Sequence, residues 1–177
     1  MRVFFALWPE AIQRNSLAAW QAPLLEQCGG RAMRAETLHS TLVFLGEVES
    51  GKLEALRLAA QEVSVKSFNV EFDVARYWGH NHIVYAAPQY IPDAMRVLAN
   101  ELQHRLQKHH FRFAAQDYKP HITLLRKAIW RDVPLPVMQK VIWSVRDFVL
   151  VESLSDEQGA NYLILERFPL MQDDVKN

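Results

Sequence analysis

Leu38-His39-Ser40-Thr41-Leu42-Val43-Phe44-Leu45-Gly46 and, later in the chain, Lys119-Pro120-His121-Ile122-Thr123-Leu124-Leu125-Arg126 share one phrase, His-x-Thr-apolar. Both read as β-strands, in which successive side chains alternate between faces. A histidine and the residue two places on then project from the same side, with Cα atoms about 6.5 Å apart. Each phrase therefore aims an imidazole and a hydroxyl at one spot. The chain holds three threonines, and two of them stand in these phrases.

Working outward, Val3 to Trp8 reads as a buried strand, and Pro9 starts a helix at a position where its missing N–H costs nothing. Ile12, Leu17, Trp20, Leu24 and Leu25 trace one face of that helix, which stops at Gly29-Gly30. Arg31 to Arg34 is a short extended piece leading to the first phrase. A second helix is expected to carry Leu53, Leu56, Leu58, Ala59 and Val63 inward. Ser67 to Val74 alternates like a half-exposed strand, with His82 to Ala87 as its hairpin partner beyond a turn at Gly79-His80-Asn81. From Asp93, Met95, Leu98, Leu102 and Leu106 recur at helical spacing. Phe111-Arg112-Phe113 is extended, and Pro120 holds Lys119 in extended geometry before the second phrase. Val145 to Ser153 and Ala160 to Phe168 read as the last strands, joined by a turn over Ser155 to Gly159; the tail from Asp173 to Asn177 reads as frayed.

The two halves thus repeat an order: amphipathic helix, arginine-bearing extended piece (Arg31 or Arg112), His-x-Thr strand. Such a repeat is too long for a solenoid and predicts two lobes related by a pseudo-twofold axis within one domain spanning 1–177. The fold class expected is α+β, bilobal, with antiparallel sheets lining a central cleft and helices outside. The axis would bring the two motif strands together across that cleft.

Composition narrows the chemistry. Twenty basic residues balance twenty acidic ones, so there is no global basic field, and a polyanionic ligand must meet a local patch. The single cysteine, Cys28, excludes an internal disulfide, fits a reducing compartment and reads as a packing residue. The opening apolar run is too short for a signal peptide or a membrane span, so a cytoplasmic protein is expected. His80-x-His82 has the spacing of a zinc pair but no third ligand nearby. His104, His109 and His110 read as the solvated end of a helix.

Two facing imidazoles suit concerted acid and base catalysis near neutral pH. One deprotonates an attacking water while the other protonates a leaving oxygen. The hydroxyls of Thr41 and Thr123 and the guanidinium of Arg126 can hold the oxygens of an anion between them. No Asp or Glu stands in either phrase, so a Mg²⁺ site finds little support, and no cofactor is expected. Metal-independent phosphodiester hydrolysis is the reaction class these residues imply. Arg126 poses a difficulty of parity. Five residues from His121, it would point to the opposite face of a regular strand, so either a bulge or strand end returns it or it serves the fold instead.

With the opening Met-Arg-Val-Phe-Phe-Ala-Leu, the two motif strings resemble the two-histidine (2H) phosphoesterase superfamily. Within it they most resemble the bacterial RNA 2′,3′-cyclic phosphodiesterases, also named 2′-5′ RNA ligases. The resemblance runs through essentially the whole chain, with both motifs intact. It implies hydrolysis of 2′,3′-cyclic phosphate RNA ends to 2′-phosphomonoesters, with 2′-5′ ligation as reverse chemistry at the same site. It also implies His39 as proton donor to the departing 3′ oxygen and His121 as the acceptor that activates water. Thr41, Thr123 and Arg126 would bind the phosphate. From the residues alone, proton flow in a pseudo-symmetric cleft runs in either sense. Trp8 and Tyr118 read first as packing residues and second as stacking surfaces for a base, while Arg31 or Arg34 is the expected contact for a flanking phosphate. The partner expected is an RNA end or nucleotide bearing a cyclic phosphate, met by a monomer. Two other readings stand beside this one: a non-catalytic RNA-end or nucleotide-binding module, and a phosphodiesterase for 2′-5′ oligonucleotides or ADP-ribose cyclic phosphate.

Overall fold

The computed structural model describes residues 1–115, 117–157 and 159–173. In chain order it shows β1 (Arg2–Leu7), α1 (Ala11–Ala18), α2 (Gln21–Cys28), β2 (Arg31–Ala32), β3 (Ser40–Glu47) and α3 (Leu53–Gln61). β4 (Phe68–Phe72), β5 (Val74–Trp78), β6 (Ile83–Ala87), α4 (Asp93–Lys108) and β7 (Ile122–Arg126) follow. The chain ends with β8 (Val141–Val145), β9 (Asp147–Asp156) and β10 (Gly159–Pro169). One four-stranded sheet has the order β10-β9-β1-β3, and a second the order β2-β7-β6-β5. β4 and β8 form a two-stranded ribbon, and every strand pair in these sheets is antiparallel. The two motif strands, β3 and β7, therefore belong to different sheets.

Three expectations are corrected. The first helix is two: the chain leaves the helix at Ala19 and starts again at Gln21. Pro23 explains the break, because it has no N–H to continue a helix but is tolerated in the first turn of a new one. The strand expected over Ser67 to Val74 also divides, at Asp73. β4 pairs with β8, and β5 is the hairpin partner of β6. The strand expected from Val145 to Ser153 likewise splits at Arg146 into the end of β8 and the start of β9. Part of the Ser155 to Gly159 turn, at Gln158, and the tail beyond Asp173 lie outside the described residues.

One apolar cluster runs through the molecule, joining Phe5 and Leu7 of β1, Leu42 and Val43 of β3, Leu124 and Leu125 of β7, and the inner faces of all four helices. The helices cross over: α2, which precedes the first motif, packs on β7, and α4, which precedes the second, packs on β3. β2 crosses in the same sense, adding Arg31–Ala32 to the edge of β7. Phe111 to Phe113 forms no matching strand, so the repeat is closest at the motif strands and weaker around them. On the opposite face of each sheet a smaller cluster walls the cleft. Phe4, Ala6, Val149 and Val151 do so in the first sheet, and Ile83, Tyr85 and Ala87 in the second.

Candidate active site

The burial pattern of the two phrases is the same: His39 and Thr41 half-buried, Ser40 and Leu42 buried; His121 and Thr123 half-buried, Ile122 and Leu124 buried. Alternation thus places each histidine and its threonine on the cleft side, as the strand geometry requires. His39, Thr41, His121, Thr123 and Arg126 together line one cavity of about 440 Å³, with Phe44 and Tyr162. Thr41, Phe44, His121, Thr123 and Arg126 also line an adjoining cavity of about 530 Å³. All five residues expected from the sequence meet at one place.

Arg126 reaches the cleft through a bulge. Tyr85 pairs with Thr123 but the next residue back, Val84, pairs with Leu125, so Leu124 is an extra residue in β7. Leu124 and Leu125 both turn into the core, and Arg126 returns to the exposed side. The first motif does the same. Ala6 pairs with Thr41 and Phe5 with Val43, so Leu42 is extra, Leu42 and Val43 are both buried, and Phe44 is 48% exposed. A bulge one residue after each threonine thus brings the fifth residue after each histidine back to the cleft. One lobe presents an arginine there and the other a phenyl ring. The guanidinium of Arg2 lies over that ring, 5.0 Å from its centroid.

Each imidazole is held by the same bond. Nδ1–H of His39 donates to the carbonyl oxygen of Thr37 at 2.7 Å, and Nδ1–H of His121 donates to that of Lys119 at 2.8 Å. A carbonyl only accepts, so Nδ1 carries the proton in both rings and Nε2 is left with its lone pair. The surroundings differ. His39 stacks on Trp8 at 5.1 Å and 5°, with Phe4 at 5.0 Å and the edge of Tyr162 at 5.1 Å. His121 meets the edges of Trp78 at 4.6 Å and Tyr85 at 5.7 Å. Burial is the main cause that lowers the pKa of His39, to about 4, with the neighbouring His121 and Arg126 adding to the effect against the Thr37 bond. Burial, with Arg126, also lowers His121 below the usual histidine value. Both shifts favour the neutral ring, and an anion bound between the two would oppose them.

The expected accessory residues fare less evenly. Trp8 packs one face against His39. Tyr118 does line the cavity beside His121, with its hydroxyl buried toward Ser40 and its pKa raised by that burial. Arg34 is engaged by the carbonyl of Ala160 at 2.7 Å and by Glu36. Arg31 is exposed in β2, in register with Arg126. Gly30 lets that strand close: a Cβ there would run into the backbone of Arg126, Lys127 and Ala128. His82 is paired through Nδ1 with the hydroxyl of Tyr77, while His80 lines the cleft. Among the described residues no group of three or more His, Cys, Asp or Glu is placed to hold a metal ion. His109 bonds Glu62 instead of standing free in solvent, and Cys28 is buried in the core. Phe44, Trp78 and Tyr162 were not read as site residues, although the spacing of Phe44 from His39 equals that of Arg126 from His121.

The profile of the 2′-5′ RNA ligase superfamily matches residues 8–157. A curated RNA 2′,3′-cyclic phosphodiesterase of Escherichia coli K12 is 31% identical over 171 residues, covering 97% of each chain. One of Archaeoglobus fulgidus is 28% identical, covering 95% of this chain and 99% of that one. The crystal structure of E. coli LigT in apo form superposes with a TM-score of 0.87 at 31% identity, covering 97% of this chain and 98% of that one. LigT has also been crystallised with 3′-AMP. By profile, sequence and fold alike, the chain belongs to the 2′-5′ RNA ligase superfamily of two-histidine phosphoesterases.

Proposed function

We propose that the protein is an RNA 2′,3′-cyclic phosphodiesterase that works as a single domain, as a monomer, in the cytoplasm. The observation that carries this reading is the pair of imidazoles, each with Nδ1 tied to a carbonyl, lining one cavity with two threonines and an arginine. The curated relatives named RNA 2′,3′-cyclic phosphodiesterase support it. So does the donor set, which is neutral apart from Arg126 and suits a singly charged phosphodiester. Buried, unpaired Cys28 fits a reducing compartment.

In the proposed reaction His121 Nε2 takes a proton from water as its oxygen bonds phosphorus, and the P–O3′ bond breaks as His39 gives a proton to O3′. The product is a 2′-phosphomonoester with a free 3′ hydroxyl. Thr41, Thr123 and Arg126 hold the non-bridging oxygens, where charge accumulates in the transition state. His39 is unprotonated in the free cleft, so the phosphate anion must arrive before or together with the proton that His39 delivers. The arriving negative charge is what raises its pKa.

The test is hydrolysis of a 2′,3′-cyclic nucleotide in excess EDTA. Turnover to the 2′-phosphate is expected. Binding without turnover would leave the non-catalytic end-binding module, and turnover abolished by chelation would overturn the metal-independent mechanism.

A further inference from the structure

Beyond His121 the cleft continues into a third cavity, of about 690 Å³, whose lining includes neither histidine, neither motif threonine nor Arg126. It shares Trp78, Asp117, Tyr118 and Lys119 with the cavity that holds His121, so the two form one groove. Trp78 stands at the junction, edge-on to His121 and 4.0 Å from the ring of Tyr85. The far end carries Arg76 from β5 and Arg96 from α4. Both are exposed, and neither makes an ion pair with a described residue. With Lys119 they set three cations against one carboxylate, Asp117. Such a mixture of aromatic rings and unpaired cations suits a nucleic-acid strand, whose bases stack and whose phosphates attract charge.

Resting on the proposed function, we infer that this groove holds the RNA strand whose 5′ oxygen takes the place of water in 2′-5′ bond formation, and which leaves when such a bond is cleaved. The direction follows from in-line displacement. The attacking and departing oxygens lie on opposite sides of phosphorus, so the terminal nucleoside, attached through O3′, lies on the His39 side. The attacking group lies on the His121 side, which is where the groove opens. A 5′ hydroxyl arriving there gives its proton to His121 as its oxygen bonds phosphorus, while O3′ departs with the proton of His39. The product is a 2′-5′ diester, and the reverse step regenerates the cyclic phosphate and the 5′ hydroxyl. Arg76 and Arg96 bind the first phosphate of that strand beyond the junction, and Trp78 lies under its first base.

The test uses three substrates with the intact protein and its Arg76→Glu/Arg96→Glu variant. The first is a 2′,3′-cyclic mononucleotide. The second is a 2′-5′-linked dinucleotide extended by one 3′-5′ nucleotide on the leaving strand. The third is a dinucleotide that ends in a cyclic phosphate and so carries its extra phosphate upstream. The expected result is a rise in KM for the second substrate of about tenfold or more, the size of a charge-assisted phosphate contact. The first and third should change less than about twofold on the same scale. Unchanged handling of the second substrate overturns the inference, as does a loss confined to the third or equal for all three. Wild-type protein that hydrolyses the first substrate but never cleaves the second also overturns it, while leaving the hydrolase reading in place. Failure on the first substrate would instead strike the proposed function itself.

Discussion

The strand of His39 and the strand of His121 share a backbone device and differ in what encloses the ring. In both, a carbonyl two residues upstream holds Nδ1–H, a threonine follows on the same face, and a bulge returns the fifth residue to the cleft. In the first lobe three aromatic rings crowd the imidazole and the returning residue is Phe44; in the second, two rings meet it edge-on and the returning residue is Arg126. The difference teaches that geometry and charge are set separately. The repeated strand fixes where each Nε2 points, while the enclosure decides how readily each ring holds a proton.

The sharpest way to break this comparison is to remove the need for an acid. On a cyclic nucleotide, His39→Ala and His121→Ala should each lower kcat by about 10³-fold, in the range of general acid or base catalysis. On a phosphodiester with a nitrophenyl leaving group, which departs unprotonated, His39→Ala should recover most of the wild-type rate and His121→Ala should not. Recovery in the opposite variant would reverse the two roles.

Exchanging the returning residues comes next. Arg126→Ala should lower kcat/KM by about 10² or more, since it removes the guanidinium that stands with the two threonines at the proposed phosphate site. Phe44→Ala should raise KM by about tenfold at most with kcat kept, as expected for a stacking surface. Equal effects on kcat from both would mean that the lobes are not divided as described. Gly30→Ala probes the support beneath Arg126. It forces a Cβ into the backbone of that residue, so it should lower the melting temperature and reduce kcat together.

The smallest effect concerns pH. The folded pKa of His39 lies near 4, below the unfolded value near 6.5, so the unfolded chain binds more protons between those limits. Stability should therefore fall as pH drops from about 6.5 toward 4, by on the order of 2 kcal/mol from this group. The fall should be shallower in His39→Gln, and thermal unfolding across that range measures it.

Much of the site was legible in the sequence because strand alternation is rigid: His39 with Thr41 and His121 with Thr123 follow from period two alone. The conflict between spacing and parity at Arg126 was legible as well; that a bulge resolves it, and not a strand end or a structural role, was not. The matching bulge after Thr41 was not, because Phe44 sits in an apolar run and raises no conflict. Trp8 was legible as a packing residue, but its partner, His39, was not, because the two are distant in the chain. The pairing of β4 with β8 and the crossing of β2 to β7 are likewise long-range choices that local alternation cannot express. Pro23, by contrast, carried a readable signal for the broken helix.

The measurement that bears most directly on the paired imidazoles is a double-mutant cycle on hydrolysis of a 2′,3′-cyclic nucleotide. If His39 and His121 act together on one phosphorus, each alanine variant loses about 10³ in kcat, and the double variant loses little more than either single one. Losses that multiply to about 10⁶, or a single variant that keeps most of its activity, would contradict that account.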